Sequence, residues 1–188
     1  MNFEELEEQI KNCYLCELSD TRINTVPGAG NRSAKIMFIG EAPGFNEDQQ
    51  GVPFVGRAGK ILDELLGSIG LKREDVFITN IVKCRPPQNR DPTDREKKIC
   101  SPYLDKQIEL IRPKVIATLG RHSMEYIFEK FGIKEKPMIS RVHSQVFKVT
   151  TLFGELTIIP FYHPAVATYS PTKIGLLKDD FRVLKDFL

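Results

Sequence analysis

The stretch that decides the fold is KIMFIGEAPG at residues 35–44, where the apolar run IMFI leads into a turn rich in glycine and proline. A compact apolar run of this length that ends at a glycine is typical of a buried strand. Apolar residues then recur at helical spacing over residues 58–69 and stop at Gly70, a residue type that often terminates helices. Strand, loop and helix in this order predict the first unit of an alternating α/β chain.

The same succession recurs along the rest of the chain. Further strands are predicted at residues 76–79, 114–119, 146–150 and 156–161. Further helices are predicted from residue 3 into Cys13, from Thr93, before Gly132 and over residues 174–188. Strands that alternate with helices predict a three-layer α/β/α domain over residues 1–188, with a mostly parallel and roughly four-stranded central sheet.

Two local signals refine this prediction. Thr93 and Glu96 have the spacing of a capping box, so a helix is expected to begin there. Pro102 is expected to break or kink that helix, because proline lacks the backbone N–H. The segment from Gly40 to Gly56 is predicted to be a loop because of its glycines, prolines and asparagine.

Composition excludes several classes of protein. The 188 residues are 41% hydrophobic and 28% charged, close to globular averages, which excludes wholesale disorder. No apolar run reaches the roughly 18–20 residues of a membrane-spanning helix, and the acidic start MNFEELEEQI is unlike a secretory signal. We therefore expect a soluble, cytoplasmic protein. The net charge of +2 is too small to indicate nucleic-acid binding, so any such binding requires a local basic patch.

The four cysteines favour a metal site. Cys13 and Cys16 form a CxxC motif, and Cys84 and Cys100 can complete a set of four thiolates. Zinc and an iron–sulfur cluster both accept four thiolates, so the spacing leaves both open. The alternatives are buried core cysteines or a redox motif, and the latter is disfavoured because this CxxC follows an acidic helix.

The site itself is expected at the carboxyl ends of the strands, where open α/β sheets bind their ligands. This rule selects Glu41, Asn80, Gly120 and His163. A run of basic residues between Lys83 and Lys98 adds a candidate for gripping phosphates, with a solvated charged surface as the alternative.

Four segments resemble the motifs of family 4 uracil-DNA glycosylases, the iron–sulfur branch of that superfamily. They are GEAPG at 40–44, GVPFVGRAGKILDELL at 51–66, ITNIVKCRPPQNRDPT at 78–93 and YHPA at 162–165. The resemblance implies base excision repair, in which uracil is removed from DNA by hydrolysis of its N-glycosidic bond and an abasic site remains. It also implies that the four cysteines hold a structural 4Fe-4S cluster.

The resemblance implies a role for each site residue. Glu41 and His163 would perform the chemistry, whereas Ala42, Glu47, Phe54 and Asn80 would bind the base. Uracil must be flipped out of the duplex, and Phe54 would then stack on it. The Asn80 amide matches N3–H and O4 of uracil and mismatches cytosine. Glu47 would crowd the position of the thymine methyl group.

The same reasoning assigns the chemistry. His163 would donate a hydrogen bond to uracil O2, on which negative charge develops. Glu41 would face the sugar cation and orient or deprotonate the attacking water. The other two histidines, His122 and His143, are expected to be structural.

The DNA contacts are predicted from the loops. Arg85 and Arg90 are expected to contact the phosphate backbone. Residues 165–171 read AVATYSP and depart from the leucines and arginine that are usual in the family, so Tyr169 is expected to take the place of the wedge that props open the duplex.

Two rival functions stay open from sequence alone. A superfamily glycosylase with broader base specificity is disfavoured because Glu41 and Asn80 are both present. The other rival is a non-catalytic, metal-stabilised module for DNA binding or electron transfer. The expected partner is uracil-containing DNA, with which the enzyme would associate at the nucleoid; the protein is expected to be a monomer, with a sliding clamp as a candidate repair partner.

Overall fold

A six-stranded sheet forms the middle layer of the computed structural model, which describes all 188 residues. Its strands are β1 (Ala29–Gly30), β2 (Ile36–Gly40), β3 (Phe77–Asn80), β4 (Val115–Leu119), β5 (Phe147–Thr151) and β6 (Gly154–Phe161). Their spatial order is β1-β3-β2-β4-β6-β5. The four inner strands are parallel, and the edge strands β1 and β5 pair antiparallel. The prediction of a mostly parallel sheet is confirmed, and the sheet has six strands where roughly four were predicted.

The edge strand β1 was not predicted. It contains two residues, too few to carry an alternating pattern. Gly30 has a φ of +118°, and a Cβ there would overlap the carbonyl oxygen of Val76. Only glycine can approach the backbone of Val76 this closely.

Eight α-helices accompany the sheet. They are α1 (Phe3–Lys11), α2 (Phe45–Gln50), α3 (Arg57–Ser68), α4 (Asp94–Ile111), α5 (Arg121–Lys130), α6 (Ile139–Val142), α7 (Ala165–Tyr169) and α8 (Ile174–Phe181). The predicted loop between residues 40 and 56 was wrong in part, since α2 occupies its middle. No helix is long and apolar enough to cross a lipid bilayer.

Helix α4 begins as predicted but does not break. Thr93 accepts a hydrogen bond from the Glu96 N–H, and the Glu96 side chain accepts one from the Thr93 N–H, which completes the capping box. The helix then continues through Pro102 to Ile111. Pro102 is exposed, so the carbonyl that its missing N–H leaves free lies on the solvent side of the helix.

The sheet separates two apolar layers. Residues of β2 alternate between them, because Met37 and Ile39 pack with α4 and α5 while Ile36 and Phe38 pack with α3 and α8. Every residue of β2 and β4 is buried, as expected for inner strands covered on both faces. This is the α/β/α arrangement predicted from sequence.

The parallel strands end together at one edge of the sheet. Gly40 of β2 pairs with Asn80 of β3, and Leu119 of β4 pairs with Phe161 of β6. The residues that follow these pairs therefore lie at the same edge, which is the location of the cavity described next.

Candidate active site

An open cavity of about 450 Å³ lies at the carboxyl edge of the sheet. It is lined by all six residues predicted to act on the base, namely Glu41, Ala42, Glu47, Phe54, Asn80 and His163. Side chains far apart in the sequence therefore converge on one hollow, whose volume is typical of small-ligand sites.

The base of the cavity contains a buried polar side chain that lacks a hydrogen-bond partner. Asn80 is 2% exposed, and its Oδ1 is buried without a hydrogen-bond partner. Buried polar atoms in folded proteins are nearly always paired, so an unpaired one at the base of a cavity points to a ligand that supplies the missing donor. The Asn80 amide is thus placed to read the edge of a bound group.

Gly40 makes room for this amide. A Cβ at position 40 would overlap Asn80 Oδ1 and would lie 2.7 Å from Phe54 Cζ. The glycine of the GEAPG segment therefore lets the amide and the phenyl ring meet across the end of β2.

Phe54 is held in an uncommon backbone conformation. Its φ is +54°, a left-handed value that costs energy for a bulky residue. Arg73 compensates by donating hydrogen bonds to the carbonyl oxygens of Pro53, at 2.9 Å, and of Phe54. Gly59 of α3 packs so closely that a Cβ there would overlap the Phe54 carbonyl. The ring is thereby fixed at the side of the cavity.

Glu47 holds together two backbone segments at the border of the cavity, one before α2 and one before α3. Its Oε1 accepts hydrogen bonds from the N–H groups of Val55 at 2.8 Å and Gly56 at 2.9 Å, and its Oε2 accepts one from Gly44 at 3.2 Å. The predicted exclusion of thymine by Glu47 stays a prediction, whereas its part in holding the Phe54 loop is visible in these contacts.

The contacts of His163 determine its tautomer. Its Nδ1 accepts a hydrogen bond from the Ala165 N–H at 3.1 Å, so in the neutral ring the proton resides on Nε2. Burial lowers the pKa of His163 to about 4, although the negative charge of Glu47 opposes this shift. At neutral pH the residue therefore offers an uncharged N–H donor.

Glu41 carries an unsatisfied oxygen and a partner that sequence reasoning missed. Its Oε1 is buried without a hydrogen bond, and burial raises the pKa of this carboxyl group. The Nε2 atom of His122 lies 3.6 Å from Glu41 Oε1 and 3.3 Å from Asp91 Oδ2. The structural role expected for His122 stays a prediction, but the sequence did not predict its location beside Glu41, which follows because α5 starts two residues after the end of β4 at the same edge of the sheet.

The other histidine lies away from the cavity. His143 Nδ1 is 2.8 Å from Oδ2 of the buried Asp180, and its ring centroid is 4.7 Å from that of Tyr162. Nothing in these contacts connects it to Glu41 or Asn80, in line with the structural role expected for it.

The two arginines predicted to contact phosphates differ in their partners within the protein. Arg85 donates one hydrogen bond to Asn89 at 2.7 Å and lies over the exposed ring of Phe45, 5.1 Å from its centroid. Arg90 makes two bonds to Glu96, at 2.9 and 2.7 Å, and lowers the pKa of that carboxyl group to about 2. Arg85 is half-buried and makes no ion pair, whereas Arg90 is exposed but paired with Glu96 at the start of α4, so both DNA contacts stay predictions.

Tyr169 stands at the mouth of the cavity. It ends the short helix α7 and is 89% exposed, which leaves its ring free to contact DNA. The wedge role predicted for it stays a prediction.

The four cysteines line a second, narrow cavity between the segment after α1, the loop after β3 and helix α4. Cys84 and Cys100 are buried, whereas Cys13 and Cys16 are half-buried after α1. Nine of the twelve residues around this cavity are hydrophobic. Four thiol groups from three segments of the chain, without a competing carboxylate or imidazole, form a donor set that suits a soft metal centre.

The spread of the sulfurs bears on the kind of centre. A single zinc ion with bonds of about 2.3 Å draws its sulfur ligands to within about 4 Å of one another. The sole group of three or more potential ligands whose donor atoms all lie within 4.8 Å of one another is Glu41, Asp91 and His122, so no three of the cysteine sulfurs are gathered that closely. That spacing fits a larger cluster in which each metal atom takes one cysteine.

Comparison with known proteins gives the class. The family model of the uracil-DNA glycosylase superfamily matches residues 27–186, and the chain belongs to this superfamily. Within it, the chain is similar to proteins named type-4 uracil-DNA glycosylase. The protein of Saccharolobus solfataricus is 50% identical over all of this chain and 87% of its own length.

Two further relatives carry the same name. The protein of Archaeoglobus fulgidus is 48% identical over 96% of this chain and 90% of its own length. That of Thermotoga maritima is 43% identical over 85% of this chain and 80% of its own. The family resemblance expected from the sequence motifs is confirmed.

Proposed function

We propose that this protein is a uracil-DNA glycosylase that flips uracil out of DNA and hydrolyses its N-glycosidic bond. The observation that carries the proposal is one cavity containing an unpaired amide oxygen at Asn80, a neutral N–H donor at His163 and an unpaired carboxylate oxygen at Glu41. Full-length similarity to proteins named type-4 uracil-DNA glycosylase supports the same conclusion.

Base recognition rests on the floor of the cavity. The Asn80 Oδ1 would accept the N3–H of uracil, and the amide nitrogen would donate to O4. Cytosine presents an acceptor at N3 and a donor at N4, so it would leave the buried amide mismatched on both sides. Phe54 would stack against the everted base. Glu47 would restrict the space for the methyl group of thymine.

The chemistry requires stabilisation of two opposite charges. As the bond between uracil N1 and sugar C1′ breaks, its electron pair passes to uracil, where negative charge develops on O2, and C1′ becomes cationic. The Nε2–H of His163 would donate to O2 without having to lose a positive charge of its own. The carboxylate of Glu41 would stabilise the cation and take a proton from the water whose oxygen bonds to C1′.

A 4Fe-4S cluster is the centre that the cysteines would hold. Cys13, Cys16, Cys84 and Cys100 supply four thiolates in an apolar cavity, and their spacing favours a multi-iron cluster over a single zinc ion. The cluster would contribute structure, because it would join the segment after α1 to the loop after β3 and to α4.

DNA would lie across the mouth of the active-site cavity. Phe45 and Tyr169 are exposed there, and the half-buried Arg85 lies over the Phe45 ring, so Arg85 would contact the phosphate backbone and a base would meet an aromatic ring. A sliding clamp as a repair partner and a monomeric state remain parts of this proposal.

A glycosylase assay tests the proposal directly. Iron-loaded protein is incubated with oligonucleotides that carry uracil, cytosine or thymine at one position, both single-stranded and duplex, and abasic sites are cleaved with alkali. We expect cleavage at uracil alone, slowed about 10²–10³-fold in His163→Ala. Release of several bases would favour the broader-specificity alternative, and no release by a protein that still binds DNA would favour the non-catalytic module.

A further inference from the structure

Lys83 is a buried lysine that the mechanism above does not use. The sequence places it at the start of the basic run, where it was grouped with residues that grip phosphates. In the structure it is 1% exposed, so it cannot contact DNA. A lysine is rarely buried to this extent unless its ammonium group is fully engaged.

The hydrogen bonds of Lys83 account for all its donors. Its Nζ lies 2.7 Å from each of three acceptors, which are Thr79 Oγ1, the backbone oxygen of Asn80 and Gln107 Oε1. The Thr79 hydroxyl gives its own proton to the carbonyl of Pro27 at 2.9 Å, so toward Lys83 it acts as an acceptor. Three donors of an ammonium group therefore meet three acceptors, and none is left unpaired.

This network joins separate parts of the molecule. Gln107 lies on α4, and its Nε2 donates to the same carbonyl of Pro27 at 2.8 Å. The backbone N–H of Lys83 donates to Cys100 Sγ at 3.2 Å, and Lys83 directly precedes Cys84. Lys83 thus connects the end of β3, the helix α4 and the cysteine cavity.

The same network reaches the backbone of Asn80. Its Oδ1 accepts no hydrogen bond, so side-chain contacts alone do not fix the depth at which the amide stands in the cavity. The backbone carbonyl of the same residue is held by the Lys83 ammonium. A shift of that carbonyl would move the amide relative to Phe54 and His163, and displacements well under 1 Å matter for reading a base edge.

We infer that Lys83 is a positioning residue for base recognition. Its ammonium group anchors the backbone of Asn80 and so fixes the position of the Asn80 amide relative to α4 and the cysteine cavity. The inference rests on the proposed function and deepens it. It assigns part of the discrimination between uracil and cytosine to a residue that touches neither base nor DNA.

A double-mutant cycle tests the coupling. Lys83→Met keeps the length of the side chain and removes its donors. In iron-loaded protein it should slow single-turnover uracil release about tenfold to a hundredfold and weaken binding to DNA containing 2′-fluoro-2′-deoxyuridine by a similar factor. In an Asn80→Ala background the same change should cost less than about threefold, since the amide it positions is gone.

A second pair of variants guards against a general loss of structure. Thr79 and Thr118 both pair with Ile39, on opposite sides of β2, and both are fully buried. Thr79→Val removes an acceptor of Lys83, whereas Thr118→Val removes a hydroxyl that has no partner. We expect slower release and weaker binding of the uracil analogue in Thr79→Val only, with the visible absorbance of the cluster unchanged in both.

The outcomes separate this inference from the proposed function. Equal losses for Lys83→Met with and without Asn80, or equal effects of the two threonine variants, would overturn the positioning role while uracil release by the wild type still supported the function. If Lys83→Met loses its cluster absorbance, Thr79→Val decides the matter. A wild type that releases no uracil would refute the proposed function and this role together.

Discussion

At the scale of single residues, the neutral state of His163 contributes one part of the dependence of stability on pH. Its pKa falls from 6.5 to about 4 on folding, because burial penalises the charged ring. As pH is lowered, His163 therefore becomes protonated in the unfolded chain before it does so in the folded protein. The stability associated with the neutral ring is complete above about pH 6.5 and is lost as pH falls toward about 4.

This effect can be isolated by substitution. We expect the wild type to lose free energy of unfolding relative to His163→Gln as pH is lowered from about 6.5 to about 4, in urea titrations at matched ionic strength. His143→Gln, whose imidazole lies outside the cavity, should not remove the same pH dependence. A constant difference between wild type and His163→Gln would show that the ring is not held neutral.

The amide of Asn80 carries the second prediction at this scale. In Asn80→Asp a protonated carboxyl group can donate to cytosine N3 and accept from its amino group, so cytosine should be released where the wild type leaves it intact. The measurement is the ratio of single-turnover rates on uracil and cytosine oligonucleotides. Asn46→Asp, the same change at an exposed position on the cavity mouth, is the matched control and should leave the ratio unchanged.

The residues that sequence reasoning found and missed differ in what determines them. Asn80 ends a strand and His163 follows one, and the topology of parallel sheets brings strand ends together whatever the surrounding detail. Arg90 is expected to contact DNA because it lies in a run of basic residues, but such a run does not show which acidic side chain each basic residue pairs with. Gln88 and Asn89 adopt left-handed conformations that turn the chain back, so that Arg90 meets Glu96. Such a pair depends on the conformation of the turn that precedes it, which spacing does not give.

At the scale of elements, helix α3 acts as a support for the Phe54 loop. Gly59 faces that loop with no room for a Cβ, whereas Gly67, on the same helix, has no atom within 4 Å of the Cβ position. The two glycines thus offer the same substitution in a tight and in an open setting. The sequence placed this helix correctly but could not distinguish their roles, because both lie in a regular helical stretch.

Substitution of each of these two glycines by alanine gives a prediction. Gly59→Ala should push the helix from the loop, lower the free energy of unfolding and slow uracil release at least tenfold. Gly67→Ala should instead stabilise the protein by about 0.5–1 kcal/mol, from helix propensity, with the rate unchanged. Chemical denaturation and single-turnover assays measure both. Equal rates for the two variants would mean that α3 does not position Phe54.

At the scale of the whole molecule, the cysteine cavity is where the N-terminal segment attaches. Helix α1 buries Leu6 and Ile10, and the chain then reaches Cys13 and Cys16 beside Cys84 and Cys100. Metal binding by such a set contributes directly to folding free energy. The attachment of a short helix, which would be marginal alone, would therefore depend on the centre proposed for the four cysteines.

Removal of one thiol tests this attachment. Cys13→Ser should lose visible absorbance and iron, melt at a lower temperature and be cleaved faster by protease within residues 1–16. Tyr14→Ser changes an exposed residue between the two CxxC cysteines and should retain the absorbance and the wild-type melting temperature to within a few degrees. A Cys13→Ser protein with full iron content would remove Cys13 from the ligand set.

The DNA-binding face follows from which charges remain free after folding. The chain has a net charge of only +2, so affinity for DNA must come from a few placed residues. Arg85 makes no ion pair and lies over Phe45 at the cavity mouth, while the bidentate pair of Arg90 with the buried Glu96 is part of the fold. Arg85→Ala should therefore reduce the slope of log affinity against log salt by about 1, whereas Arg90→Ala should mainly lower stability by leaving Glu96 unpaired. Fluorescence anisotropy over a salt series, with thermal melts of both variants, distinguishes these effects, and a reduced slope for Arg90→Ala alone would move the phosphate contact from Arg85 to Arg90.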